Sequence, residues 1–193
     1  EVLSEKTIPG MENSSTGEIT LTSNALKRMA WFAGNTDVLK TLQMVPGISA
    51  FGDGSAFYFV RGGTQDQNLL MIDDAPVFNP AHLFGFFTAI APDAVKDVKA
   101  YKGDFPASFG GRLSSVIDIR ARDGNMNKIG FSGNLGIYTS DLTLEGPVIK
   151  EKSSFIFSGR KSNLNWLNNN PENGRSFTID FFDLNAKLNF KIN

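Results

Sequence analysis

The last stretch of the chain constrains its fold most tightly: Phe182, Leu184, Ala186, Leu188, Phe190 and Ile192 alternate without exception with Asp183, Asn185, Lys187, Asn189, Lys191 and Asn193. Period two places all the apolar side chains on one face of a β-strand and all the polar ones on the other, so this strand faces two different solvents. Ile129, Phe131, Leu135 and Ile137 alternate with Gly130, Ser132, Asn134 and Gly136, and Phe155 and Phe157 repeat the theme. Two settings produce such a pattern: one face packed on a soluble core, or one face turned to lipid and the other to a wet lumen. The strands lie at the end of the sequence with nothing after them to pack against, and Phe-rich faces joined by polar loops fit outer-membrane strands of about ten residues. Three or four strands cannot close a barrel. The lipid reading therefore predicts that the chain is a piece of a longer protein, with residues 125–193 as the first strands of a β-barrel.

Composition removes several functions. Nineteen basic residues stand against twenty acidic ones, and no block of Lys or Arg gathers to grip phosphates, so nucleic acid is not an expected partner. With no cysteine and with His82 as the single histidine, thiolate sites, disulfides and multi-histidine zinc sites are excluded, and no metal or cofactor is expected. The longest apolar stretch, Leu83 to Ala91, is far short of the roughly 20 residues that a spanning helix needs. Glu1-Val2-Leu3-Ser4 has no basic region or apolar core, so a secretory signal is either processed or missing from this sequence.

Ahead of the alternating strands the pattern is mixed. Residues 1–18 are polar, with Pro9-Gly10 and Asn13-Ser14-Ser15-Thr16-Gly17, and read as a linker. Ile19 to Thr22 alternates as a short strand, and Ser23 or Asn24 caps a turn toward Leu26 and Met29. Asn35 to Val45 reads as a helix: Asn35 or Thr36 supplies the cap, Asp37 suits the positive end of the dipole, and Val38, Leu39, Leu42 and Val45 share a face ahead of Pro46-Gly47. Strands are expected at Ala56–Val60, Leu69–Ile72, Val98–Tyr101 and Val116–Ala121, with a short helix at Asp93–Lys96 after Pro92. Asp73-Asp74-Ala75-Pro76 is turn chemistry, and residues 102–112 form a loop rich in Gly, Pro and Ser. This order predicts a small α+β domain over residues 19–124, built around a mixed sheet with short helices.

Several of these segments resemble one family. Residues 36–48, with Asp37, Leu39 and Pro46-Gly47-Ile48, are similar to the helix and stop of TonB-dependent receptor plug domains. Phe59-Val60-Arg61-Gly62-Gly63 resembles the family's Ile-Arg-Gly strand end, and Leu69 to Val77 its Leu-Ile-Asp-Gly hairpin, with Asp74 where a Gly is usual. Val95 to Gly103, then Ser108-Phe109-Gly110-Gly111, and finally Val116-Ile117-Asp118-Ile119 resemble the motifs that close the plug, the last with Asp118 where the family has Asn. Leu113-Ser114-Ser115 replaces the common glycines before that last strand. Leu144-Glu145-Gly146-Pro147-Val148 and Ser158-Gly159-Arg160 resemble the first barrel hairpin of Bacteroidetes-type members.

The resemblance implies a plug inside a barrel of about 22 strands in the outer membrane of a Gram-negative cell. It also implies uptake without any bond broken in the cargo, powered by a periplasmic TonB-type partner that pairs a strand with the receptor's N-terminal segment. Val2 and Leu3 are the candidate remnant of that segment. Cargo contacts are expected from apical loops, at Asp53, Asn79, His82 and Phe84, and the cargo is a siderophore, cobalamin, an oligosaccharide or a peptide. Arg61, Gly62, Gly63, Asp73, Gly103, Gly110 and Gly111 are expected to be structural: the glycines for backbone geometry, Arg61 for hydrogen bonds or ion pairs, and Asp73 for the turn. Trp166 and Tyr138 suit an interfacial aromatic girdle or ordinary packing. Two rival readings remain: a self-contained soluble α+β ligand-binding domain, and a soluble enzyme in which Asp73, Asp74 and His82 converge.

Overall fold

The computed structural model describes residues 11–15, 17–29, 36–164 and 179–192. The chain divides into two units, residues 1–30 with 36–121, and residues 31–35 with 122–193.

The first unit contains strands β1 (Met11–Ser15) and β2 (Glu18–Thr22), helices α1 (Ser23–Arg28) and α2 (Val38–Leu42), and the pair β3 (Ile48–Ala50) and β4 (Tyr58–Val60). There follow β5 (Asn68–Ile72), β6 (Ala75–Pro76), β7 (Ala81–His82), β8 (Phe87–Thr88), β9 (Val95–Tyr101) and β10 (Ser115–Ala121). The main sheet runs in the order β1-β2-β9-β10-β5-β6, with β10 and β5 parallel and the other pairs antiparallel. One row of register partners, Met11, Leu21, Val98, Ile119 and Ile72, crosses five of its strands. β10, flanked on both sides, is buried from Ser115 to Ile119 and carries the near-continuous apolar run of a central strand. The core forms where Leu21, Val98, Ile117 and Ile119 of the sheet meet Leu26 of α1 and Val38, Leu39 and Leu42 of α2.

Several boundaries differ from the sequence reading. Met11–Ser15, inside the stretch read as linker, is a strand, because pairing with β2 supplies the backbone bonds that its polar side chains do not call for. The cap of α1 is Thr22, whose hydroxyl accepts from Ala25 N at 3.4 Å. α2 is shorter than Asn35–Val45 and is capped by Asp37 rather than Asn35 or Thr36, since Asp37 Oδ1 accepts from Lys40 N at 3.1 Å. The expected helix at Asp93–Lys96 is a single 3-10 turn over Pro92–Ala94, because Val95 already belongs to β9.

Asp118 carries a measurable consequence. Its carboxylate is buried in β10 between Lys99 of β9 and Met71 of β5, and burial pushes its pKa up; the Asp74 and Asp97 carboxylates reinforce the shift, and Arg120, 3.9 Å away, offsets part of it. A carboxyl whose pKa is higher folded than unfolded binds more protons in the native state across that interval, so its contribution falls as pH rises through it. Asp118→Asn is therefore expected to raise the urea midpoint at neutral pH, with the gain shrinking as the pH enters the carboxylate range; a lowered midpoint at pH 7 rules this out.

The second unit is one antiparallel sheet of β11 (Gly130–Leu135), β12 (Thr139–Ile149), β13 (Ser153–Ser162) and β14 (Phe182–Phe190), in that order. Pro147, which removes a ladder donor, sits where the register slips between Pro147 and Ile149. The faces differ as the alternation requires. Phe131, Leu142, Leu144, Phe157, Phe182, Leu184, Leu188 and Phe190 are exposed, while Thr143, Ser158, Arg160 and Asp183 are buried. The connector that enters the sheet is pinned on the second of these faces: Arg122 bonds Glu145 of β12 at 3.1 Å, and Asp123 bonds Lys187 of β14 at 3.1 Å.

Candidate ligand-recognition loops

Two loops of the first unit carry the residues expected to meet a ligand. The first, residues 49–57, joins β3 to β4, and its Phe51 and Asp53 are exposed. The second, residues 77–88, includes β7 and β8. There Asn79 is exposed, His82 is half-buried, and Phe84 is 99% exposed. Leu83, Phe84 and Gly85 take φ values of 49°, 57° and 99°, three left-handed residues in a row. Such a conformation costs each non-glycine residue about 1–2 kcal/mol. It persists only where surrounding contacts over-determine it.

Those contacts are present. Gly85 O accepts from Ala56 N at 2.6 Å, which ties the second loop to the first. A Cβ on Gly85 would lie 2.9 Å from the Phe57 ring and would strain a residue at φ 99°, so glycine suits the position on both counts. Asp37 Oδ2 accepts from Thr88 N at 3.1 Å, and Lys40 Nζ donates to Phe86 O at 2.5 Å. Lys40 is buried, and that burial lowers its pKa against the opposing pull of Asp37. Gln43 Nε2 donates to Ser55 O at 2.7 Å and to Phe57 O at 3.2 Å.

A cavity of about 450 Å³ is lined by Leu70, Val77 and Phe78 together with Gln65, Asp66 and Arg112. A hydrogen bond from the Thr64 side chain, then one from the Asp66 backbone, together with the Arg112 charge, hold the Asp66 carboxyl below its usual range. Gln65, Asp66 and Arg112 escaped the sequence reading, which placed Arg112 at the end of a loop rich in Gly, Pro and Ser and assigned no role to Gln65 and Asp66. The spacing Gln65 to Phe78 gives no periodic signal, because the cavity forms only when β5 and β6 pair.

The residues expected to be structural gather elsewhere. Arg61 (φ 47°), Gly62 and Gly63 follow β4, and Arg61 N donates to Gly47 O at 3.1 Å. The Arg61 guanidinium reaches Gly103, and Lys102 beside it donates to Pro46 O at 2.8 Å. The stop after α2, the end of β4 and the end of β9 therefore meet at one junction. Gly63 lies against Ser114, whose hydroxyl donates to Val60 O at 2.7 Å. Gly110 and Gly111 are exposed, with Gly111 at φ 83°. Asp73 and Asp74 take φ of 46° and 67°, the two left-handed residues of a type I′ hairpin between β5 and β6, and Asp73 Oδ1 accepts from Ala121 N at 3.0 Å. Tyr138 O accepts from Asn163 N at 2.7 Å. Val2, Leu3 and Trp166 lie outside the described residues. Among the described residues no group of three His, Cys, Asp or Glu is placed to hold a metal ion.

Comparison with known proteins agrees with this architecture. The siderophore receptor PirA from Pseudomonas aeruginosa superposes with a TM-score of 0.63 at 16% identity, over 94% of this chain and 32% of its own. The siderophore receptor PirA from Acinetobacter baumannii gives 0.59 at 17% identity, over 77% and 25%, and the copper transporter OprC gives 0.59 at 15%, over 80% and 25%. The chain thus spans about a quarter to a third of the length of these structures. No curated protein sequence matches it. The family model for the TonB-dependent receptor plug domain matches residues 12–116, more than half of the chain, and the chain belongs to that family, one of receptors and transporters rather than enzymes.

Proposed function

We propose that the first unit is the plug that gates energy-coupled uptake of a scarce nutrient across a Gram-negative outer membrane, and that the second unit opens the β-barrel around it. The observation that carries this reading is the two-faced sheet of β11–β14, with its exposed Phe and Leu on one side and buried Arg160, Asp183 and Ser158 on the other. A self-contained soluble domain would leave that apolar face in water, which soluble monomers avoid at this extent. A barrel strand turns it to lipid instead. Force reaches the plug from a TonB-type periplasmic protein through strand pairing at the N-terminal segment. The neighbours named for siderophore and copper make a metal-bearing cargo the first candidate, met by Asp53, Asn79, His82 and Phe84 on the two loops.

The test uses the full-length receptor in a Gram-negative host. It is expected to fractionate with the outer membrane, and deletion of residues 11–121 is expected to leave an open pore that sensitises cells to large antibiotics normally excluded by that membrane. Recovery of the receptor as a soluble monomer without detergent overturns the reading, as does unchanged permeability on deletion in a variant that still inserts.

A further inference from the structure

α2 and its two caps reach both candidate loops through hydrogen bonds to loop main-chain atoms. Asp37, Lys40 and Gln43 are spaced three residues apart, which stacks them along one side of a helix. Asp37 divides its carboxylate: Oδ1 caps its own helix at Lys40 N, and Oδ2 accepts from Thr88 N, 51 residues away in sequence. Lys40 stretches to Phe86 O, with its ammonium 5.7 Å from the centre of the Phe87 ring. Gln43 turns its amide to Ser55 O and Phe57 O in the other loop. The Ala56 N to Gly85 O bond then closes a circuit from helix to first loop to second loop and back.

We infer that Asp37, Lys40 and Gln43 are positioning residues of the candidate ligand site, holding the two loops as one unit so that a ligand engaging either loop meets both. These hydrogen bonds end on loop main-chain atoms, so they fix the backbone that carries Asp53, His82 and Phe84 without drawing on those three side chains. They also explain how three consecutive left-handed residues survive. The loop is held at the last residue of the strained segment, by Ala56 at Gly85, and just beyond it, by Lys40 and Asp37 at Phe86 and Thr88, so relaxation of the turn breaks bonds that are costly to leave unmade. Burial of Lys40 makes its bond to Phe86 O stronger than the same bond in water. The placement of a ligand here rests on the reading under Proposed function, but the mechanical claim does not.

The experiment places nitroxide labels at Asp53→Cys and Phe84→Cys in the full-length receptor in detergent, with any other cysteines replaced, and measures the distance distribution by pulsed electron resonance without ligand. A single narrow distribution is expected. Lys40→Met is expected to broaden it at least two-fold, and Lys40→Arg, which keeps a charged donor of similar reach, to restore it. Gln43→Leu touches only the first loop, yet it is expected to raise amide exchange at least ten-fold at residues 84–88 as well as at 55–57. Should Lys40→Met fail to fold, the Gln43→Leu exchange decides the matter alone. Unchanged distributions in Lys40→Met, or faster exchange confined to the first loop in Gln43→Leu, overturn the inference. Since neither readout involves uptake, a failure here is separable from a failure of the transport reading.

Discussion

Arg160→Met is expected to destabilise the full-length receptor by about 3–5 kcal/mol, because it strands a buried carboxylate. Arg160 of β13 and Asp183 of β14 are direct register partners, and both are buried. The guanidinium approaches Asp183 Oδ2 through Nε at 2.9 Å and a terminal nitrogen at 2.5 Å, and it sits 5.5 Å from the centre of the Phe181 ring. Asp141 of β12 occupies the same cross-strand row on the other side of Arg160, so one cation stands between two acidic positions. Removing it leaves their charges to repel one another, with little water to screen them. The paired change Arg160→Met with Asp183→Leu should recover most of the loss, since replacing both members of a buried pair by apolar residues is often neutral. Urea titration followed by heat-modifiable mobility on gels reports both values. A loss below about 1 kcal/mol for the single variant would show that the pair is solvated in the intact barrel.

Those two residues also show how much of the fold the sequence makes legible. Asp183 is one beat of a strict two-residue alternation, and so the existence and facing of β14 could be read directly, although the strand ends at Phe190, before the alternation does. The core face of α2 was readable for the same reason, from Val38, Leu39 and Leu42. β1 was not, because Glu-Asn-Ser-Ser offers no apolar stripe and only the neighbouring edge of β2 makes it a strand. The cap of α2 was displaced by one or two residues because Thr36 and Asn35 compete on propensity with Asp37, and the tie is broken by Thr88, which local sequence does not contain.

The candidate site was less legible still. Phe84, Asn79 and Asp53 are exposed on the two loops, yet nothing in Leu83-Phe84 announces two left-handed residues; Gly85 alone carries that signal. Nothing in the sequence marks Lys40 as buried, since a single Lys on a short helix is almost always solvated. Its burial depends on Phe86 and Phe87 arriving from 46 residues downstream, a contact that only tertiary structure creates. The polar lining of the cavity, Gln65, Asp66 and Arg112, comes from the end of a loop rich in Gly, Pro and Ser and from two residues to which the sequence assigns no role.

Gly124→Ala is expected to cost about 3 kcal/mol or more, the upper range for forcing a group into packed structure. A Cβ there would lie 1.9 Å from Phe155 O and 2.5 Å from its carbonyl carbon, and both are backbone atoms of the central strand β13 that cannot rotate aside. The connector has little freedom to retreat. Arg122 before it is bound to Glu145, Asp123 to Lys187, and Asn125 N after it donates to Glu145 Oε2 at 3.0 Å. Glu145, Ile156 and Lys187 form one row across β12, β13 and β14, so the connector crosses the strands along that row with its charges matched at each end. Relief of the clash therefore means breaking at least one of these bonds or bending β13. Gly52→Ala supplies the control, since its Cβ meets nothing within 4 Å, and it should change stability by less than about 0.5 kcal/mol. The same urea titration measures both variants, and equal midpoints for the two would mean that the connector does not cross the strands in the intact receptor.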